Sequence, residues 1–262
     1  IANSQLDSEI LMAKTINKDR KYILLNSNYY LNKNDIIYFY KLIKQRSLGN
    51  PVAYLVNKKF FWNSEFFVTK NTLIPRPDTE IIVENVLQMT KYKNKLNILD
   101  IGIGSGCILL SILKERQNFY GTGIDISKKC LNISKINATN LKVISRLKLY
   151  KSNVDKFKLG KYDLIVSNPP YIKKSKLSCL IEDVKNFEPK LALDGGPDGF
   201  STVLKVIEKS SKLLKKNGML FLEIDRSQVI KTKEMLIKYK LYTKYVCKDL
   251  SGNNRCIIAI KL

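Results

Sequence analysis

Apolar positions follow three different rhythms along the 262-residue chain. Up to about residue 57 they gather in short helical stretches, predicted at 6–13, 22–25 and 33–45; in the third, Ile36, Ile37, Phe39, Tyr40 and Ile43 recur near helical spacing. Gly49-Asn50-Pro51 ends that helix. Between 59 and 70, two aromatic and β-branched runs flank Asn63-Ser64, which predicts a hairpin. From about residue 75 the pattern changes to strands alternating with helices. Strands are predicted at 97–101, 119–125, 147–152, 164–168, 219–224, 242–247 and 256–261, and helices at 107–115, 128–137, 201–214 and 228–239. Such alternation predicts an α/β fold: a mostly parallel, seven-stranded, Rossmann-like sheet covered on both faces. The last two strands, joined by Ser251-Gly252-Asn253-Asn254, are expected to close one edge as an antiparallel pair. The chain thus divides into a helical domain (1–57), a hairpin linker (58–74) and an α/β domain (75–262).

Composition narrows the chemistry. No stretch approaches the eighteen or so apolar residues that a membrane span needs, so a soluble, cytoplasmic protein of bacterial or organellar type is expected, acting as a monomer. The chain opens at Ile1 without a methionine, so residues preceding it are expected. Five scattered cysteines without a Cys-x-x-Cys pair argue against a disulfide framework and a zinc site, and are expected to be reduced core residues. The absence of histidine excludes Ser-His-Asp and Cys-His catalysis; no metal is expected. A net charge of +23 fits an anionic partner such as the ribosome or its RNA. However, 39 of the 46 basic residues are Lys, in a chain also heavy in Asn and Ile, as drift toward an AT-rich genome would produce.

Two strand ends carry the candidate chemistry. The first predicted strand of the α/β domain runs into Asp100-Ile101-Gly102-Ile103-Gly104-Ser105-Gly106, and the next ends in Asp125, 23 positions after Gly102. A glycine-rich turn at a strand's carboxyl end lets the backbone approach a ligand, and an acid there can accept the hydroxyls of a ribose. The spacing is Gly-x-Gly-x-Gly, not the dinucleotide Gly-x-Gly-x-x-Gly, which points away from NAD. S-adenosylmethionine has no phosphates to cradle, and Asp100 can help hold its amino group. The competing reading is a turn that only packs strand on helix.

The strand predicted at 164–168 ends in Asn168-Pro169-Pro170-Tyr171. Two prolines remove two backbone donors and fix two φ angles, leaving a stiff loop rich in acceptors. A conjugated NH₂ is a poor nucleophile and must be held. The Asn168 side-chain oxygen and the Pro169 carbonyl can each accept one of its hydrogens, with Tyr171 lying against the planar group. The plainer alternative is a proline pair that only stops a strand.

These motifs resemble the release factor glutamine methyltransferases. Asn-Pro-Pro-Tyr alone also fits adenine-amine methyltransferases of DNA or RNA, which remain the alternative; the deciding segment is Leu73-Ile74-Pro75-Arg76-Pro77-Asp78-Thr79-Glu80. Further matches are Gly49-x-Pro51 with Ala53-Tyr54-Leu55, Phe187-Glu188-Pro189 through Asp198-Gly199, Leu222-Glu223-Ile224 and Asp249-Leu250-Ser251-Gly252. The resemblance implies a class I S-adenosylmethionine-dependent methyltransferase acting on the glutamine of the Gly-Gly-Gln motif in class 1 peptide chain release factors. It implies cofactor contacts from Asp100, residues 102–106, Asp125, Asn153, Val154 and Asn168. Asn168, Pro169, Pro170 and Tyr171 are implied at the glutamine amide, with the helical domain docking the release factor. Arg76 is expected either near the substrate or in an ion pair with Asp78 or Glu80. Two departures stand out: Asn153-Val154 replaces an acidic residue followed by an aromatic or apolar one beside the adenine, and Asp225 stands where glycine is common. A third reading is a ribosome- or release-factor-binding protein that has lost activity.

Overall fold

The computed structural model describes residues 3–262; Ile1 and Ala2, the first two positions of the expected helical domain, lie outside the described residues. Four helices come first: α1 (Ser4–Thr15), α2 (Arg20–Leu25), α3 (Lys33–Ser47) and α4 (Val52–Val56). Asp19 and Asn32 start α2 and α3 by accepting the backbone N–H of Tyr22 and Asp35, so two otherwise orphaned donors are satisfied. Leu11, Leu42 and Val56 form the small core of this bundle, with Phe39 and Ile43 packed on it. Ile37 and Tyr40 are about two-thirds exposed, so the expected apolar face of α3 is divided between core and solvent. Helix α4 was not predicted. Its five residues are too few to show a period, and Pro51 is its N-cap.

Strands β1 (Lys58–Phe61) and β2 (Ser64–Phe67) form the expected antiparallel hairpin. Phe61 and Phe66 turn inward and meet edge to face, so the hairpin is anchored by burial of two large rings. A turn at Pro77–Thr79 then leads into α5 (Glu80–Met89), a second unpredicted helix, whose Ile82, Val83 and Val86 are fully buried.

The remaining elements are β3 (Asn97–Ile101), α6 (Cys107–Glu115), β4 (Tyr120–Asp125), α7 (Lys128–Asn140), β5 (Leu147–Lys151), β6 (Tyr162–Ser167), α8 (Glu182–Phe187), α9 (Ser201–Leu213), β7 (Leu214–Glu223), α10 (Val229–Lys238), β8 (Leu241–Lys248) and β9 (Asn254–Lys261). The seven-stranded sheet has the order β5-β4-β3-β6-β7-β9-β8. It is parallel except at β9, which is antiparallel to both neighbours and pairs with β8 at one edge, as expected. Period-two alternation sends Ile98, Leu164, Val166, Phe221 and Ile258 to a core shared with α5, α6 and α7. Leu99, Ile165, Leu220, Leu222 and Ile257 face the opposite core with α9 and α10. In α9, Val203, Val206, Ile207, Ser210 and Leu213 recur at helical spacing and are buried; each aliphatic contributes roughly 1.5–3 kcal/mol.

All five cysteines are unpaired. The expectation that they lie in the core fails for Cys179, which is exposed in the turn at Lys174–Cys179. Among the described residues, no helix is long and apolar enough to cross a membrane.

Candidate active site

Chain order in the sheet puts β4 and β5 on one side of β3, and β6 and β7 on the other. Ligands of open α/β sheets bind at such a reversal, beyond the carboxyl ends of the strands. Here the reversal lies between β3 and β6, the two strands whose ends carry the glycine turn and Asn-Pro-Pro-Tyr. Asp100 pairs with Val166 across them, so the following residues leave the sheet side by side. The Ser167 hydroxyl donates to the Ile101 carbonyl at 2.7 Å and ties the two exits together.

The glycine turn is held from behind and open in front. Gly102, Gly104 and Gly106 all have positive φ, which side-chain-bearing residues rarely adopt. Gly102 and Ile103 donate their N–H groups to the Ile124 carbonyl. From α7, Ser134 donates to the Gly104 carbonyl at 2.8 Å, and buried Asn137 donates to the carbonyls of Ser105 and Phe67. Asn137 Oδ1 also accepts the Phe67 N–H, so one amide joins the turn to the hairpin. A Cβ added at Gly102 would meet no atom within 4 Å, and at Gly104 only the Gly102 carbonyl at 3.9 Å. That open backbone is the cradle a nucleoside-containing cofactor needs.

Asp100 and Asp125 flank the cradle in different electrostatic settings. Asp100 is 1% exposed, and both carboxylate oxygens are buried without a hydrogen-bond partner. Burial, and then the nearby Asp125 charge, pushes it up to about 8. A buried carboxyl with two unused acceptors calls for a donor or cation from a ligand. Asp125 is half-buried and fixed: Oδ2 accepts the Gly104 N–H at 3.0 Å and Oδ1 the Ser127 N–H at 2.8 Å. Asn153 follows β5, its side chain accepting the Asp155 N–H, while Val154 packs on the core under α9 and α10. With an unpartnered acid, an anchored acid and an open glycine backbone, the residues present fit S-adenosylmethionine.

At the other strand end, Asn168 Nδ2 donates to the Thr79 hydroxyl at 3.1 Å, while Oδ1 accepts no hydrogen bond among the described residues. Pro169 is buried and Pro170 half-buried. The Tyr171 hydroxyl lies 3.4 Å from Glu223 Oε1, so its ring is tied toward β7. Glu223 ends β7, next to β6, and is 2% exposed with Oε2 unpartnered. Burial pushes it up to about 7, while the Thr79 hydroxyl, Arg255 and Tyr171 pull in the other direction. Thr79 and Glu223 were not singled out from the sequence, although both lie within quoted segments. An acid directly after the apolar run of β7 was the available signal.

Arg76 corrects a local expectation. It pairs with Glu188, not with Asp78 or Glu80. Pro75 and Pro77 hold this stretch extended, and Arg76 has φ −103° and ψ 141°. Asp78 instead meets Arg255 at 3.4 Å, and Glu80 accepts the Trp62 N–H at 2.8 Å. Glu188 also accepts the Ile74 N–H, so the segment beyond Asn-Pro-Pro-Tyr is fastened to the one before α5. Asp225 has a structural role: its side chain accepts the Ser227 N–H and its N–H donates to Gln228 Oε1, capping the turn before α10.

Comparison with known proteins agrees with this layout. Residues 1–56 match the PrmC N-terminal domain family and residues 77–186 the Methyltransferase small domain family. A release factor glutamine methyltransferase of Clostridium botulinum is 35% identical over 100% of this chain and 93% of its own length. This chain belongs to the release factor glutamine methyltransferase family. A bifunctional methyltransferase of Rickettsia prowazekii is 35% identical over 96% of the chain, and the chain spans about half that relative's length, 52%. A methyltransferase structure from Pyrococcus furiosus shares the fold, with a TM-score of 0.57 at 17% identity over 85% of this chain and 96% of that one. Within the family's two matched domains fall α1–α4, the glycine turn, Asp125 and Asn-Pro-Pro-Tyr; Glu188 and Glu223 lie beyond them.

Proposed function

We propose that this chain transfers a methyl group from S-adenosylmethionine to the side-chain amide nitrogen of the glutamine in the Gly-Gly-Gln motif of class 1 peptide chain release factors. The observation that carries the reading is the adjacency of β3 and β6, which sets an open glycine cradle beside a stiff loop of acceptors. When bound, S-adenosylmethionine would supply an electrophilic methyl: the nitrogen–carbon bond forms as the carbon–sulfur bond breaks, the electron pair stays on sulfur in the departing S-adenosylhomocysteine, and the nitrogen loses one proton to water. Everything else is positioning. Asp100 would hold the cofactor's cationic amino group, Asp125 its ribose hydroxyls, and Asn153 and Val154 would border the adenine. The Asn168 oxygen and the Pro169 carbonyl each accept one hydrogen of the amide NH₂, which fixes its direction and excludes other orientations. Because the nitrogen grows acidic as it is alkylated, no strong base is needed, in keeping with a chain that has no histidine.

The helical domain docks the release factor, the site works as a cytoplasmic monomer, and Arg76 steadies the segment around the substrate through Glu188. The test is labelled methyl transfer from S-adenosylmethionine with purified protein. Label is expected in a release factor, is expected to vanish when the Gly-Gly-Gln glutamine is replaced, and to vanish with Asn168→Ala. Label entering DNA or RNA instead would support the adenine-amine reading and overturn this one.

A further inference from the structure

We propose that Asn137 is a positioning residue for cofactor binding: its side-chain amide ties the glycine turn to the hairpin that carries the helical bundle, so that a ligand in the cradle and the seating of the hairpin stabilise each other. The inference rests on the reading of the glycine turn as the S-adenosylmethionine cradle. A turn built on Gly102, Gly104 and Gly106 has many backbone states open to it, and with its front left clear for a ligand it must be held from behind.

Asn137 is fully buried on α7. Its Oδ1 accepts the Phe67 N–H at 2.7 Å, and its Nδ2 donates to the carbonyls of Phe67 at 3.0 Å and Ser105 at 2.8 Å. The amide therefore has one workable orientation: turned over, its NH₂ would face a donor and its oxygen two acceptors. It meets both backbone polar groups of Phe67, the last residue of β2, as a neighbouring strand would. The next residue carries the path onward. Val68 is fully buried and exchanges two hydrogen bonds with Asn57, the residue that ends α4: the Val68 N–H donates to the Asn57 carbonyl and Asn57 Nδ2 donates to the Val68 carbonyl, both at 3.2 Å.

In the other direction, Ser105 directly follows Gly104, whose N–H is accepted by Asp125 at 3.0 Å. A displaced Ser105 carbonyl thus disturbs the contact that fixes the acid assigned to the ribose. Ser134, one turn earlier on α7, holds the same turn through the Gly104 carbonyl at 2.8 Å, but its hydroxyl makes no hydrogen bond to the hairpin among the described residues. Asn137 alone of these two side chains grips both sides. Since a moving hairpin strains the same three bonds that a bound cofactor fixes, the coupling runs equally in both directions.

The experiment measures S-adenosylhomocysteine affinity by calorimetric titration and hydrogen exchange across residues 58–67 by mass spectrometry, with melting temperature as the control for folding. Wild type is compared with Asn137→Asp, Asn137→Ala and Ser134→Ala. Saturating S-adenosylhomocysteine is expected to slow hairpin exchange about tenfold in wild type and in Ser134→Ala, and to leave it unchanged in both Asn137 variants. Asn137→Asp, which keeps the size and the acceptor but loses the two amide hydrogens, is expected to weaken S-adenosylhomocysteine about tenfold. Ser134→Ala is expected to weaken it as well while keeping the hairpin response, which separates a loosened turn from a broken link. The hairpin remains seated on Phe61 and Phe66 when Asn137 is replaced, and the wild-type measurement stands without any variant. Hairpin exchange in wild type that ignores saturating S-adenosylhomocysteine, an equal response in the Asn137 variants, or wild-type affinity in those variants would each overturn the link. Failure of wild type to bind S-adenosylhomocysteine at all would instead strike the cofactor reading, and this inference with it.

Discussion

Asp100 carries a large electrostatic cost within the glycine-lined cradle. Its carboxyl is buried and unpartnered, and held up to about 8 from an ordinary value of 3.8. A folded value above the unfolded one means that the native chain keeps a proton the unfolded chain releases, so the Asp100 contribution to stability is fullest below pH 4 and is lost as pH rises toward 8. Glu223, held up to about 7, adds the same sign between roughly 4.5 and 7. Asp100→Asn is therefore expected to flatten the fall in melting temperature of the ligand-free protein between pH 5 and pH 8. The same substitution is expected to weaken S-adenosylhomocysteine binding about tenfold to a hundredfold, the worth of a charge-assisted hydrogen bond. Calorimetric titration and thermal melts at each pH measure both; an unchanged slope and affinity would remove Asp100 from the cofactor site. At this scale the sequence was informative about chemistry and poor about partners. Asp100, Asp125 and Asn168 were legible because they end strands. Thr79 and Glu223 were not, because nothing in one dimension says that residues 89 and 55 positions from Asn168 stand beside it. Arg76 went to Glu188 for the same reason: neighbours in sequence were the only partners on offer until the fold was formed.

Secondary elements succeed where period and boundary agree. The predicted helix at 107–115 and the strand at 97–101 match α6 and β3, since glycine turns and apolar runs mark their ends. Helices α4, α5 and α8 were invisible for separate reasons: α4 and α8 are shorter than two turns, and α5 begins within a proline-rich signature that reads as a linker. Strand β7 begins five residues earlier than predicted, because Lys215-Lys216-Asn217-Gly218 gives a turn signal inside it. Element ends also reveal a stabilising device. The Arg146 guanidinium donates to the carbonyls of Leu113, Arg116 and Phe119 at 2.7–2.9 Å, gathering the end of α6 and the entry to β4 ahead of edge strand β5. Arg146→Leu leaves three carbonyls without this donor and is expected to cost about 2–3 kcal/mol in denaturant unfolding. Arg146→Lys is expected to recover only part, since one ammonium cannot reproduce the planar fork. A change below about 0.5 kcal/mol in both variants would show that water replaces the arginine.

Across the whole molecule, the helical bundle is attached to the segment that follows Asn-Pro-Pro-Tyr, not merely tethered by the hairpin. Arg46 on α3 bridges Asp7 on α1 at 2.7 Å and Asp183 on α8 at 2.8 Å, and α8 belongs to the segment between Asn-Pro-Pro-Tyr and β7. Arg76 and Glu188 fasten the same segment to the start of α5. A protein seated on the bundle would thus lie next to the segment that follows Asn-Pro-Pro-Tyr, the loop proposed to hold the acceptor amide. Fold class and the antiparallel closing pair followed from alternating strands and helices and from the turn residues between the last two strands; the strand order and the inter-segment ion pairs depend on contacts between distant parts of the chain that no local pattern encodes. The high net charge, in contrast, distinguishes a protein target from a nucleic acid at neither scale. Mass spectrometry of a release factor incubated with this protein and S-adenosylmethionine distinguishes them directly. One added methyl on the side chain of the Gly-Gly-Gln glutamine, absent with Asn168→Ala, is the expected result; an unmodified glutamine alongside methylated adenine in added RNA or DNA would contradict it.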